Sequence, residues 1–370
     1  MTPMRIAYLC KRRYMDKDVV LERYARVYEI PAQLAAHGHE VEAWCLSYRK
    51  EREEGSWAHD AAPGSLAWHS EPALPGLPTY PWRLLHALRG FRPDLLVAGT
   101  DIPHVALGAW LKGKLGVPLV VDLYDNFEGF GQAKIPGFVP LLRASTRRAD
   151  LVLTTSEPLR DLVAGEYRAK GKVIAMPSTI DRGVFHPRDR AACRAALGLP
   201  ADAPLLGTAG GLTRMKGIAA LYGAWELLSR RMPDLHLVLA GPHEADFPPP
   251  QGARVHALGS LPHEKVAQVF GALDAGAICI LDTAFGRYCF PQKAYEMLAC
   301  DLPVVAADVG AMHHLFADAP QCLYRAGDAA DLADKLEAQL REPRRAEVPI
   351  RDWGEVIAAI EPELRRLVGA

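Results

Sequence analysis

The 370-residue sequence predicts an α/β protein of two Rossmann-like domains, each with a parallel sheet, facing one another across a cleft. Three observations carry that expectation. The chain is longer than one compact domain usually holds. Short apolar runs of strand length alternate with amphipathic helical stretches throughout, the pattern of a parallel sheet covered by helices on both faces. The series also breaks off near residue 180 and restarts near residue 205.

The elements follow in order. A first strand is expected over 6–10, and then a helix whose last residues are Leu34, Ala35 and Ala36. Gly38 stands where a left-handed stop belongs. Further strands are predicted at 41–46, 95–98, 119–121, 151–154 and 173–175. The helix between the last two starts near Ser156, with Pro158 in its first turn. Residues 181–204, rich in Pro, Arg and Ala, read as a linker with one short helix. The second series has strands at 205–208, 235–240, 254–257, 275–280, 303–306 and 322–324. A closing helix over 353–368 carries Trp353, Val356, Ile357, Ile360 and Leu364, and Pro362 should kink or split it. The expected domains are 1–180, onto which 353–370 packs back, and 181–352.

Composition excludes several classes. Hydrophobic residues at 49% and charged residues at 24% belong to a globular chain. Forty-three Lys and Arg against 44 Asp and Glu leave a charge of -1, without the basic excess of a nucleic-acid binder, so no nucleic-acid partner is expected. Seven cysteines, odd in number and without a C-x-x-C pair, read as reduced, mostly buried thiols, not a zinc site or disulfide framework. The apolar run after Arg5 is too short for a signal peptide, and no stretch reaches the ~18 apolar residues of a membrane span. A soluble, cytoplasmic protein is expected.

Two common nucleotide motifs are missing. After the first strand comes Lys11-Arg12-Arg13-Tyr14, with no glycine before Gly38, so the dinucleotide fingerprint is absent. The segment Gly210-Gly211-Leu212-Thr213-Arg214-Met215-Lys216-Gly217 ends in Lys-Gly, so it is no Walker loop. It nonetheless has a strand before it, two turning glycines, the cations Arg214 and Lys216, and a helix starting at Gly217 whose stripe is Ile218, Leu221, Trp225 and Leu228. That arrangement suits an anion such as a diphosphate. It equally suits a glycine turn with two solvated cations. In Pro291-Gln292-Lys293-Ala294-Tyr295-Glu296, Pro291 is placed for a first helical turn, and Lys293 and Glu296 share a helix face. An acid there can accept hydrogen bonds from a ribose diol and the lysine can touch phosphate or sugar; a surface ion pair is the simpler reading.

Taken together, these phrases resemble glycosyltransferase family 4, which has the GT-B fold. His37-Gly38-His39-Glu40-Val41 looks like the family's early helix-to-strand phrase. The stretch from Asp122 to Asn126 resembles its acceptor-side strand end, and 177–187 is similar to its interdomain turn. Gly210 to Gly217 and Glu296 to Val305 look like its donor-binding signatures. The likeness covers nearly the whole chain and is strongest from 210 to 303. There are departures: Gly211 stands where the family usually has an arginine, Tyr288 where its paired-glutamate motif has the first acid, and Tyr124 where a histidine is frequent. The glycine pair usual after the first strand is absent as well.

The resemblance implies transfer of a sugar from a nucleotide-sugar co-substrate (UDP-, GDP- or dTDP-linked), with retention at the anomeric carbon and with no metal or further cofactor. Lys216, Arg214 and the helix start after them would stabilise the leaving diphosphate. Glu296 would hold the ribose, Lys293 and Tyr288 would meet phosphate or sugar, and Gly210, Gly211 and the backbone at Leu258 would complete the donor site. Asp122, Tyr124, Asp125 and Asn126 would face the acceptor, a glycan, lipid-linked or small molecule in glycan, polysaccharide or glycolipid synthesis. Asp125 reads equally as a loop cap, and no acid pair with glycosidase spacing stands out. Residues 80–92 and Arg143, Arg147 and Arg148 read either as peripheral contact with the inner membrane face or as ordinary packing. Residues 127–138 read as an acceptor loop or a long connection. Two further functions stay open: a sugar-nucleotide epimerase on the same scaffold, and a GT-B binding module that has lost catalysis.

Overall fold

The strand Arg5–Lys11 is the pivot of an eight-stranded sheet. On one side of it stand Glu40–Ser47, Ser65–Pro72 and Gly55–His59; on the other stand Leu95–Gly99, Leu119–Leu123, Leu151–Thr154 and Lys172–Ala175. The structure is a computed structural model and describes residues 2–15, 17–49, 54–129 and 131–369. Neighbouring strands are parallel except at one edge, where Gly55–His59 runs antiparallel to Ser65–Pro72. This corrects the expectation of a purely parallel sheet. Gly55–His59 escapes the sequence pattern because an edge strand is half-exposed and tolerates polar residues, as in Gly-Ser-Trp-Ala-His, and Ser65–Pro72 because its buried residues alternate with polar ones.

This sheet belongs to a unit formed by Met1–Ser178 and Trp353–Ala370. Its core gathers Ile6, Tyr8, Val41, Trp68, Leu95 and Val120. The helix Trp353–Val368 packs on helix Ala25–Ala36 and buries Trp353, Ile357, Ile360 and Leu364 in the same cluster. Each such side chain withdrawn from water contributes about 1.5–3 kcal/mol. Polar contacts fix the angle of approach: the Glu361 carboxylate lies 2.8 Å from His37 Nδ1 and 3.2 Å from His39 Nε2. Because His39 Nδ1 accepts from the Met4 amide, Nε2 carries the proton and donates to Glu361. Pro362 does not divide the helix, which runs unbroken from Trp353 to Val368.

The second unit, Thr179–Asp352, holds a six-stranded, wholly parallel sheet. Its pivot is Leu205–Ala209, flanked by His236–Ala240 and Val255–Ala257 on one side and by Ala275–Ile278, Val304–Ala307 and Leu323–Tyr324 on the other. The helix Ile218–Arg231 buries Ile218, Leu221, Trp225 and Leu228, the stripe read from the sequence. All seven cysteines are buried and free. No helix among the described residues is long and apolar enough to cross a membrane.

Both sheets are doubly wound. The chain leaves each pivot strand toward one side and later returns to the other, so the carboxyl ends of adjacent strands diverge and leave a crevice beside the pivot. Open α/β sheets bind ligands at that point. The residues after Arg5–Lys11 and Leu95–Gly99 occupy it in the first unit, and those after Leu205–Ala209 and Ala275–Ile278 occupy it in the second.

Candidate functional site

In the second unit the pivot strand ends at Ala209 and the chain turns through Gly210, whose φ of +113° a side chain would strain. A methyl group there would stand 3.3 Å from Lys293 Nζ, and one on Gly211 would stand 3.1 Å from Lys216 Nζ. The glycine pair thus lets two ammonium groups lie directly on the loop. Gly241, after the next strand, is also compulsory, since a Cβ at its φ of +129° would fall 1.9 Å from the Gly210 carbonyl oxygen. The Gly241 amide donates to Gly259, and the Leu258 amide donates to Leu239, so three consecutive carboxyl-end loops are laced together. Gly217, left-handed at φ +78°, starts helix Ile218–Arg231 and rests against the Ile280 backbone on the far side of the crevice.

Helix Lys293–Ala299 brings the second half of the site. It begins two residues after Pro291, whose carbonyl accepts from Ala294, so Pro291 precedes the first turn instead of lying in it. Lys293 and Glu296 are both partly buried. Among the described residues no carboxylate lies within 4.0 Å of Lys293 or Lys216, which leaves the simple surface ion pair unrealised. Burial, reinforced by the charge of Lys216, lowers the Lys293 ammonium to about 8. Burial raises the Glu296 carboxyl to about 7, opposed by Lys293 and by a hydrogen bond with Gln292. Two cations thus gather on one glycine loop, with Glu296 acting on Lys293 without an ion-pair contact.

Arg214 is held elsewhere. Its guanidinium pairs with Asp246 at 2.8 Å and Glu244 at 3.4 Å and lies 4.3 Å above the Phe247 ring. Thr213 caps the single turn Arg214–Lys216, its hydroxyl accepting from the Lys216 amide. Tyr288 ends the short helix Ala284–Tyr288 and is half-buried.

In the first unit the four acceptor-side residues part company. Asp122 is not on an open face: it is fully buried and gripped by Arg26, with Nε 3.0 Å from both oxygens and Nη2 2.6 Å from Oδ1. Arg26 also donates to the Met176 carbonyl. The pair ties helix Ala25–Ala36 to the sheet and is structural. Buried Asn126 accepts from the Glu128 amide and caps the turn Phe127–Gly129. A second turn, Gly131–Lys134, follows; Phe130, inside the predicted loop, lies outside the described residues.

Tyr124 and Asp125 stay partly open. The Tyr124 hydroxyl donates to the Thr100 carbonyl at 3.0 Å and accepts from Lys11 Nζ at 3.2 Å, while its ring meets Tyr14 and Phe127 edge-on. Burial lifts the Asp125 carboxyl to about 6 against a single backbone hydrogen bond from Asn126. Thr100 adopts φ +79°, an outlier for a β-branched residue, and in that pose its hydroxyl accepts from the Lys11 amide. Next to it, Asp101 caps helix Ile102–Leu115. Its Oδ1 lies 2.6 Å from His104 Nδ1 and its Oδ2 accepts from Tyr48, leaving buried His104 Nε2 unpartnered. Burial raises the Asp101 pKa, but His104 and Tyr48 outweigh it and hold the carboxyl below its usual range.

Sequence reasoning missed Lys11, Thr100 and the Asp101–His104 pair. Asp101 followed by Pro103 was a legible helix start. Lys11 was read only as a glycine's absence, and its partner Tyr124 comes from a strand two places away in the sheet.

Two doubly wound units, one with a cation-lined glycine loop at its crevice, define the architecture of sugar-transferring enzymes with the GT-B fold. A glycosyl transferase 4-like domain matches residues 24–179 and a glycosyl transferases group 1 domain matches residues 203–342. The chain belongs to the family 4 glycosyltransferases. It is similar to proteins called D-inositol 3-phosphate glycosyltransferase. The one from Actinosynnema mirum is 32% identical over 270 residues, covering 61% of each chain; the one from Nocardia farcinica is 31% identical over 210 residues, covering 53% of this chain and 46% of that protein. The chain thus spans about half the length of the curated relatives it matches. Among solved structures, sucrose-phosphate synthase from Thermosynechococcus elongatus superposes with a TM-score of 0.74 at 19% identity, over 99% of both chains. Anabaena HepE, in complex with UDP-glucose, superposes with 0.66 at 18% identity, over 99% of this chain and 95% of that one. At these identities the likeness speaks for the fold.

Proposed function

We propose that the chain transfers a sugar from a nucleoside-diphosphate donor to a hydroxyl acceptor, with retention at the anomeric carbon and no metal. The observation that carries this reading is the seating of Lys216 and Lys293 on the Gly210–Gly211 turn with no carboxylate in ion-pair contact among the described residues. As the glycosidic bond breaks, negative charge grows on the leaving diphosphate, and fixed cations in a partly desolvated crevice stabilise that charge more than they stabilise the bound donor. Arg214, occupied by Asp246 and Glu244, fastens the loop, so the diphosphate falls to the two lysines. Glu296 receives the ribose hydroxyls, the backbone at Leu258 flanks the base, and Tyr288 reaches the sugar. Anabaena HepE with UDP-glucose makes UDP-glucose the first donor to try.

On the acceptor side Asp125 orients or deprotonates the incoming hydroxyl, Tyr124 and Lys11 line its approach, and Asp122 and Asn126 serve as supports. The acceptor is a glycan, a lipid-linked sugar or a phosphorylated small molecule met in the cytoplasm or at its membrane face. The reading is tested by incubating the protein with UDP-, GDP- and dTDP-sugars. Selective thermal stabilisation and slow donor hydrolysis are expected. Conversion of the donor to its epimer without acceptor would mean an epimerase, and binding without turnover would mean a binding module.

Two pH effects follow. Binding a diphosphate favours charged Lys293 and raises its pKa from about 8, so donor binding near pH 8 takes up a proton and weakens as pH rises further. Calorimetry in buffers of different ionisation enthalpy reads that uptake, and buffer-independent heats would remove Lys293 from the diphosphate. Burial holds the Asp125 pKa near 6, above the ordinary 3.8, so its ionised form weakens the fold above pH 6 and the penalty fades as pH falls toward 3.8. Asp125→Asn should therefore melt no lower than the native chain at pH 7.5 while transferring sugar far more slowly. A fully active Asn variant would reduce Asp125 to a loop cap.

A further inference from the structure

The amino-terminal edge of the first unit's sheet, opposite the edge that carries Lys11 and Tyr124, holds a cavity of about 740 Å³. Six cations line it from separate stretches of chain: Lys112, Arg147, Arg148, Lys170, Lys172 and Arg366. Acidic compensation is incomplete. Asp150 is taken by Lys112, with both oxygens 2.6 Å from Nζ and one also accepting from the Leu119 amide. Glu363 at the rim serves Lys172 at 2.5 Å and Arg366 at 2.9 Å. Among the described residues no carboxylate lies within 4.0 Å of Arg147, Arg148 or Lys170; Arg147 only touches the Arg143 carbonyl, and the Arg148 guanidinium lies against Gly113.

Helix ends explain part of this. Helices Ile102–Leu115, Phe138–Thr146 and Trp353–Val368 all finish here, and cations in last turns complement the negative end of the dipole. That accounts for Lys112, Arg147 and Arg366. It does not account for Lys170, which lies in the connection before strand Lys172–Ala175, nor for a concave surface that concentrates like charge in a chain whose net charge is -1. Mutually repelling cations that converge on one cavity and keep three of their number unpaired lower their energy when a multiply charged anion enters.

We infer that this cavity is a second anion site, which takes clustered phosphates and is separate from the proposed donor crevice. The ligand chemistry is a diphosphate or neighbouring phosphomonoesters, free in solution or presented by lipid headgroups.

The test uses the full chain carrying Lys216→Ala and Lys293→Ala, so that the donor crevice contributes nothing. Inorganic pyrophosphate is titrated calorimetrically, and phosphatidylglycerol vesicles are sedimented against phosphatidylcholine vesicles. Adding Arg147→Ala, Arg148→Ala and Lys170→Ala is expected to weaken binding at least about tenfold in one arm, and the binding should be strongly salt-dependent. Removing three exposed cations of the second unit (Arg230→Ala, Arg341→Ala and Arg345→Ala) should leave it unchanged. Binding of pyrophosphate assigns free phosphate; binding of the anionic vesicles alone assigns the headgroup. Absence of binding in both arms, or equal loss in the two triple variants, overturns the inference. The result is independent of whether nucleotide sugars bind.

Discussion

Lys216→Ala should slow sugar transfer about 10²–10³-fold, the loss typical when one preorganised donor aimed at developing charge is removed. Placement is the reason. Lys216 lies in a single capped turn, fixed by Thr213 behind it and left-handed Gly217 ahead, with its ammonium against Gly211. Immobilised before the reaction, the charge needs no reorganisation when the bond breaks. Lys293 remains in the variant, so nucleotide affinity should fall much less than the rate. Steady-state transfer and nucleotide affinity measured side by side decide it: unchanged transfer would return Lys216 to the solvated-cation reading, and equal losses in both would make it a ground-state binding residue.

Asp122→Ala should cost the first unit about 3–5 kcal/mol, because it leaves the Arg26 guanidinium buried without its counter-charge. Arg26 makes three short contacts to the carboxylate, and neither side chain reaches solvent. Replacing both partners, as Arg26→Met with Asp122→Leu, should recover most of the loss, since the penalty comes from the orphaned charge. Two units need not unfold together, so a single melting temperature would mix them. Tryptophan fluorescence separates them: Trp225 is the only one of the seven tryptophans in the second unit. A full-strength Asp122→Ala fold by that probe would show that the pair carries little.

Asp122 also shows where the sequence was legible and where it was not. Its strand reads as 119–121, because an aspartate after three apolar residues looks like the start of a loop. The strand continues through Leu123, since Arg26, 96 residues away in sequence, neutralises the charge. No local pattern announces a partner at that distance. The glycine loop at 210–217 was readable for the opposite reason: strand, glycines, cation and helix start lie within ten residues, and each has a local cause. That Lys293 lies over Gly210 was not readable, since it follows from the order of strands in the sheet. Arg214 misled because a cation in a loop carries no mark of the acids it meets, and Glu244 and Asp246 belong to another strand's loop. Gly55–His59 lay hidden in polar residues that an edge tolerates, and Ser65–Pro72 in an alternation of buried and polar residues.

The chain crosses from the first unit to the second at residues 178–179 and returns at 352–353, so the second unit is inserted within the first. A ribosome releases residues in order, which gives the two a maturation sequence. Every strand of the first sheet has emerged by Ala175, yet Ile357, Ile360 and Leu364, which cover its first helix, come last. The second unit has all its own core residues in hand by then. It can close while the first still presents uncovered apolar surface on helix Ala25–Ala36, the part of the nascent protein most in need of a chaperone.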